Sequence, residues 1–192
     1  MDKHFLTPLF QPETIAVFVG DADTPEKQTP TALALSAAIK AQNFSGKLVF
    51  LDIHTSGTLA DLAQTRADLA IIALSPADTL AALELAGRIK CRAAVVLGTG
   101  IKTAEATEMH QLAKRHGMYL LGPNGMGFQR PRLGLNASVV GNMAAKGPLA
   151  LVSQSGALTS SILDWASKNG VGFSTVISLG PNSGVGIAQA LD

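Results

Sequence analysis

Gly147-Pro-Leu-Ala-Leu-Val-Ser-Gln-Ser-Gly-Ala-Leu-Thr-Ser-Ser-Ile-Leu-Asp-Trp165 reads as strand, tight turn and helix. Residues 149–152 form a short apolar run, the pattern of a strand buried on both faces. Residues 153–156, Ser-Gln-Ser-Gly, make the turn. Leu158, Ile162 and Trp165 then recur at helical spacing and predict the packing stripe of a helix. Ser155 is a good N-cap, and Gly156 lets a ligand approach the backbone closely. The free N–H groups of such a first turn, with the helix dipole, suit a phosphate or carboxylate. The same features also serve a helix that only packs.

The residues upstream extend this strand-to-helix logic. Apolar runs at 14–20, 47–52, 68–74, 93–97 and 119–121 predict five strands. Helical patterns fill 31–41, 58–64, 76–90 and 103–116 between them. Residues 1–13 read as an irregular lead-in, because Pro8 and Pro12 interrupt regular structure. Continuous apolar strands alternating with helices over short links predict a parallel sheet covered on both faces. Ligands of such sheets sit outside the carboxyl ends of the strands. Residues 122–145 read as a long irregular crossover. The 147–165 unit, a strand at 173–179 and a helix over 184–191 then open a second α/β series. The expected fold is therefore α/β: a Rossmann-like, doubly wound parallel sheet over 1–145, then the start of a second, flavodoxin-like α/β domain over 146–192. With two strands and two helices, that second unit is too small to close a core alone. It either packs on the first domain or continues in a longer protein, the latter being the reading we favour.

Composition narrows the function. The 192 residues are 47% hydrophobic and 15% charged, with a net charge of +1. A chain with no basic run and few aromatics gives nucleic-acid binding no electrostatic support. No stretch approaches the roughly 20 apolar residues of a membrane helix. The N-terminus lacks the apolar segment of a signal peptide. Cys91, the one cysteine, excludes an internal disulfide and fits a reducing, cytoplasmic setting. His4, His54, His110 and His116 form no metal-spaced cluster with acids or Cys91, so no metal site is expected. Residues 152–156, Val-Ser-Gln-Ser-Gly, lack the first glycine of a nucleophile elbow, which argues against a serine hydrolase. No catalytic residue is predicted.

The loop after the first strand tests for a dinucleotide. Gly20 is followed by Asp21, Asp23, Pro25 and Glu26, without the later glycines of the fingerprint. A dinucleotide site of the usual kind is not expected. Asp52, at the end of the second strand, suits either a ribose hydroxyl or a simple cap. In the 122–127 loop, Gly-Pro-Asn-Gly-Met-Gly, the Asn124 amide is placed to reach a ligand or to brace the turn.

These motifs together carry a family resemblance. Gly-Pro-Asn at 122–124, Ser-Gln-Ser-Gly-Ala-Leu at 153–158, Ile-Leu-Asp-Trp at 162–165, Gly-Phe-Ser at 172–174 and Ser-Leu-Gly at 178–180 resemble the NDP-forming acyl-CoA synthetases, relatives of the succinyl-CoA synthetase alpha subunit. Residues 11–17 resemble the usual start of their CoA-binding domain. Residues 133–138 also resemble the synthetase-like region of bacterial protein lysine acetyltransferases. The resemblance implies CoA or acyl-CoA lying along the carboxyl ends of the first sheet. The matched positions are Gly20, Asp21 and Thr24 in the first loop, Ser75 and Pro76, Leu97, Gly98 and Thr99, and Asn124. It implies that Ser153, Ser155 and Gly156 face phosphate or acyl phosphate, near a phosphorylated histidine that none of the four here matches. Nucleotide and Mg are implied only through ligase and grasp domains outside these residues. The implied function is the CoA-binding portion of such a synthetase; the alternative is a non-catalytic acyl-CoA-sensing region of a lysine acetyltransferase. Two departures stand out. The glycine-rich first loop is replaced by the 23–28 segment, and the second strand ends in Asp52-Ile-His54 where Asn-Pro-Lys is frequent. Partners beyond the thioester are the remaining ligase, grasp or acetyltransferase domains, and self-association stays open.

Overall fold

A computed structural model describes residues 4–21, 28–54 and 66–191. The expected helix at 58–64, and Thr24, lie outside the described residues. Five parallel strands form the first sheet: β1 (Thr14–Phe18), β2 (Lys47–Phe50), β3 (Leu69–Ile72), β4 (Ala93–Leu97) and β5 (Tyr119–Gly125), in the order β2-β1-β3-β4-β5. The chain moves outward from β1 to β2 and then returns to the other side of β1, so the order reverses between β1 and β3. Helix α2 (Pro30–Lys40) follows β1, while α3 (Pro76–Arg88) and α4 (Thr103–Arg115) follow β3 and β4. Right-handed crossovers in opposite lateral directions place helices on opposite faces of the sheet.

The side chains record this two-faced covering with the period of two that a strand imposes. Ile15, Val17, Leu69, Ile71, Ala93 and Val95 pack on the α2 side with Leu35 and Ile39. Ala16, Phe18, Ala70, Ile72, Ala94 and Val96 pack on the other side, with Leu83 and Ala86 of α3 and Met109 and Leu112 of α4. Both faces of β3 and β4 are dry, which is why their sequences read as unbroken apolar runs.

Several expectations are corrected. Residues 1–13 are not merely irregular, because Thr7–Phe10 forms a short helix, α1. Pro8 falls in its first turn, where a missing N–H breaks no helical bond. Leu6 and Leu9 beside it are fully buried in the main core. Residues 122–145, expected as an irregular crossover, contain the end of β5, then β6 (Gly127–Arg130), a 3-10 turn (Pro131–Leu133) and β7 (Leu135–Ser138). These strands escape a hydrophobic pattern because three of their buried residues are polar: Gln129, Asn136 and Ser138. The three satisfy one another. Ser138 Oγ donates to Asn136 Oδ1 at 2.7 Å, and Gln129 Nε2 donates to Ser138 Oγ at 3.2 Å. Asn136 Nδ2 donates to the Gly141 carbonyl, and Gln129 Oε1 accepts from the Ala144 N–H, which pins the connection after β7.

The second sheet is the third correction. Two strands were expected, β8 (Lys146–Ser153) and β9 (Phe173–Ser178), which do pair in parallel. β6 and β7 join them antiparallel, giving the order β7-β6-β9-β8. This mixed sheet is not isolated. Phe128, Leu135, Ala137, Ile177 and Leu179 belong to the same buried cluster as one face of the parallel sheet. The Phe128 ring meets Phe10 of α1 edge-on, with centroids 5.4 Å apart.

β8 is an edge strand, not one buried on both faces, and Leu149 is 51% exposed. The following helix, α5 (Gly156–Lys168), buries Thr159, Leu163 and Ala166. Of the expected stripe only Ile162 packs against the cluster of Leu163 and Ala166, while Leu158 and Trp165 are 53% and 58% exposed. The last helix, α6 (Ile187–Leu191), starts later than expected. Ahead of it, Val185 is tied to the Leu120 carbonyl and Gly186 to Gln189 Oε1.

Candidate functional site

The crevice at the carboxyl ends of β1, β2 and β3 lies where the strand order reverses, the position at which doubly wound sheets hold ligands. It encloses about 420 Å³ and is lined by residues of three strand ends and two helix starts. Gly20 leaves β1 with φ +81°, a conformation a side chain resists, and turns the chain into the loop. Gln28 Nε2 closes that loop by donating to the Asp21 carbonyl at 2.8 Å.

Both helix starts are built by capping. Thr29 Oγ1 accepts from the Ala32 N–H at 3.0 Å and donates to the Ala73 carbonyl at the end of β3. Pro30 follows in the first turn of α2, where its fixed φ is already helical. Ser75 Oγ accepts from the Asp78 N–H and donates to Asp78 Oδ2 at 2.8 Å, which starts α3. Each helix exceeds ten residues, so each brings a partial positive charge and orphan N–H groups to this end of the sheet. Three carboxylates, Asp21, Asp52 and Asp78, line the same space. Asp52 Oδ1 accepts from the His54 N–H at 3.0 Å, the simple turn-capping alternative for this residue. The crevice thus offers dipolar N–H donors for an anion and carboxylate acceptors for hydroxyl or amino groups.

Of the residues singled out from sequence, Gly20, Asp21, Ser75 and Asp52 line this crevice, and Pro76 opens α3 beside it. Thr29, Gln28 and Asp78 were missed. Their signals were legible as a Thr-Pro cap before α2 and a carboxylate three residues after Ser75.

Leu97, Gly98, Thr99 and Asn124 form a second group, further along the same sheet edge. Leu97 is buried at the end of β4, paired with Gly125. Asn124 has φ +62°, and its amide braces the loop after β4: Oδ1 accepts from the Ile101 N–H at 3.0 Å and Nδ2 donates to the Ile101 carbonyl at 2.8 Å. Of the two roles open to this side chain, bracing is the one its bonds perform, with one amide hydrogen left over. The Gly122–Pro123 peptide is cis. A side chain at Gly122 would strike the Val96 carbonyl, so the close approach of β5 to β4 requires glycine there. His110 Nε2 lies 3.2 Å from the Gly122 carbonyl, and His116 Nε2 lies 3.0 Å from Glu84.

Ser153, Ser155 and Gly156 lie at the end of β8. Ser155 caps α5 by accepting from the Leu158 N–H at 3.2 Å, and Ser153 Oγ accepts from the Ser155 N–H at 3.0 Å. The turn is therefore rigid before anything binds. Gly156 also has a packing role. The space a Cβ would take is filled by the Met126 side chain, so its smallness serves packing against the 122–127 loop.

Among the described residues, no group of three His, Cys, Asp or Glu is placed to hold a metal. None of their helices is long and apolar enough to cross a membrane. Cys91 is buried, and its thiol is pushed up to about 12 by burial and then by Asp68.

Comparison with known proteins agrees with this architecture. Residues 146–192 match the succinyl-CoA ligase like flavodoxin domain. An ADP-forming acetate–CoA ligase (I) of Archaeoglobus fulgidus is 39% identical over 119 residues, covering 59% of this chain and 17% of that protein. An ADP-forming acetate–CoA ligase of Methanocaldococcus jannaschii is 30% identical over 129 residues, covering 65% of this chain and 18% of that one. The chain thus spans under a fifth of the length of these relatives. A solved Pyrococcus horikoshii OT3 protein superposes with a TM-score of 0.82 at 26% identity, covering 97% of this chain and 44% of that one. The apo form of the Ca. Korarchaeum cryptofilum dinucleotide forming acetyl-coenzyme A synthetase 1 shares the fold, with a TM-score of 0.84 at 24% identity over 97% of this chain and 42% of that one. By sequence the chain is similar to ADP-forming acetate–CoA ligases, by fold to the two solved proteins, and its residues 146–192 match the succinyl-CoA ligase like flavodoxin domain.

Proposed function

We propose that the chain is the CoA- or acyl-CoA-binding portion of an ADP-forming acid–thiol ligase. The observation that carries this reading is the convergence of two capped helix starts, at Thr29 and Ser75, on one crevice at the switch point of the sheet. The phosphates of CoA would take the N–H groups at the starts of α2 and α3. Asp52 and Asp21 would accept from ribose hydroxyls or the adenine amine. The thioester end would run toward Thr99, in the loop that Asn124 braces. Residues 1–145 would act as the CoA-binding domain and 146–192 as the first part of the ligase domain. Ser153, Ser155 and Gly156 would then present their turn to phosphate or acyl phosphate. Nucleotide, Mg and the phosphorylated histidine would come from other domains, and the buried, protonated Cys91 suits a cytoplasmic protein.

A second reading, an acyl-CoA sensor fused to a lysine acetyltransferase, draws on the three carboxylates in the crevice. They oppose the phosphates and favour loose, regulatory binding over tight binding. Calorimetric titration with CoA and acetyl-CoA tests both readings. Saturable one-to-one binding is expected, weakened at least about tenfold by Ser75→Asp, which keeps the cap but sets a fixed negative charge at the α3 start. A marked preference for acetyl-CoA would favour the sensor. Absence of binding to the full-length protein, or indifference to Ser75→Asp, would overturn the assignment of the crevice.

A further inference from the structure

Residues of α1, the end of β6 and α6 line a separate open pocket of about 210 Å³. None of its lining residues belongs to the crevice described above. Arg130, the last residue of β6, contributes its guanidinium. That side chain is half-buried, no carboxylate pairs with it among the described residues, and its buried Nε has no hydrogen-bond partner. Burial alone holds its pKa below the usual arginine value. A buried guanidinium N–H without an acceptor is a costly arrangement.

The other polar walls are His4, Thr7, Gln11 and Gln189, and no described Asp or Glu lines the space. Gln189 is already oriented: its Oε1 accepts from the Gly186 N–H at 2.9 Å, which leaves the amide N–H groups as its remaining function. His4 Nδ1 accepts from the Leu6 N–H at 3.2 Å, so that nitrogen is turned away from ligand binding. Thr7 adds a hydroxyl and Gln11 an amide. The described lining therefore gathers donors around one positive charge that no described carboxylate pairs with.

We infer that this cavity is a binding site for a small oxyanion, held by the Arg130 guanidinium and the Gln189 amide. A carboxylate and an inorganic phosphate share the required chemistry, since both present paired oxygens to the guanidinium fork. The bound anion supplies a counter-charge that no described carboxylate gives Arg130.

The test is an NMR titration of the 192-residue chain, following the Arg130 Nε–H and Gln189 side-chain signals. Sodium phosphate and sodium acetate are added separately, with sodium chloride at matched ionic strength as control. Saturation is expected below about 10 mM, the range of one charge-assisted contact. Similar binding of both anions supports a general oxyanion site, and preference for one identifies the source as carboxylate or phosphate. Arg130→Met should weaken binding at least tenfold. Since Arg130 sits in a central strand, Gln189→Glu on the short terminal helix is the second variant. It places a carboxylate beside the guanidinium and should abolish anion binding with an unchanged circular dichroism spectrum. Shifts that merely follow ionic strength, or saturable binding that survives Gln189→Glu, would overturn the inference.

Discussion

Asn124 is the residue whose replacement best tests how the site is held. Its side chain makes two hydrogen bonds to the backbone of Ile101, and its own backbone sits at φ +62°. Asn124→Ala removes both bonds and leaves a Cβ-bearing residue, without the local polar bonding of Asn, in the left-handed region. Each bond contributes about 0.5–1.5 kcal/mol net, and the left-handed conformation costs alanine about 1–2 kcal/mol, so the loss should be about 2–5 kcal/mol. Asn124→Gly loses the same bonds without the steric cost, but gains unfolded-chain entropy. It should be the more stable of the two by about 0.5–1 kcal/mol. Urea denaturation monitored by far-UV circular dichroism reads both values, provided the slope of the transition is unchanged. Calorimetry on the same variants should show weaker CoA binding, because the loop carrying Gly98 and Thr99 loses its brace. If both variants cost under about 0.5 kcal/mol, or if alanine is tolerated as well as glycine, the bracing role is wrong.

Three further outcomes are expected. Phe128→Ala should cost about 3–5 kcal/mol and still give one cooperative unfolding transition, because this fully buried ring belongs to the core shared by the two sheets; a biphasic curve would count against a shared core. The carboxyl of Glu84 is held below its ordinary value by hydrogen bonds from His116 and then Arg88. The stability it adds is complete above that ordinary value and is lost as the pH falls through the depressed one; Glu84→Gln should cost under about 1 kcal/mol at neutral pH, these groups being solvent-exposed, and the difference should vanish in acid melts. Cys91 should resist thiol reagents in the folded protein at pH 8 and react only on unfolding, since its pKa is pushed up to about 12; rapid labelling of native protein would contradict its burial.

Much of the fold was readable because the inner strands of the parallel sheet are dry on both faces. β1, β3 and β4 are apolar throughout, and the helices between them carry their own start signals, so alternation alone implied the doubly wound arrangement. Gly20, Ser75 and Asp52 were readable as site candidates for the same reason: strand ends and caps are local features, and the topology brings them together. β6 and β7 were not readable. Their buried Gln129, Asn136 and Ser138 look like loop residues until the partners that satisfy them are seen in space.

Local chemistry determined which residues extend, which turn and which cap a helix, because those preferences depend on near neighbours in the chain. Tertiary structure decided the rest. It made β8 an edge and left Leu149, Leu158 and Trp165 in solvent, although their spacing is that of core residues. It turned Asn124 toward Ile101 and gave the room beside Gly156 to Met126. It also left Arg130 half-buried without a carboxylate partner among the described residues. Burial and pairing depend on which distant segments arrive at a surface, and no periodicity along the chain encodes that.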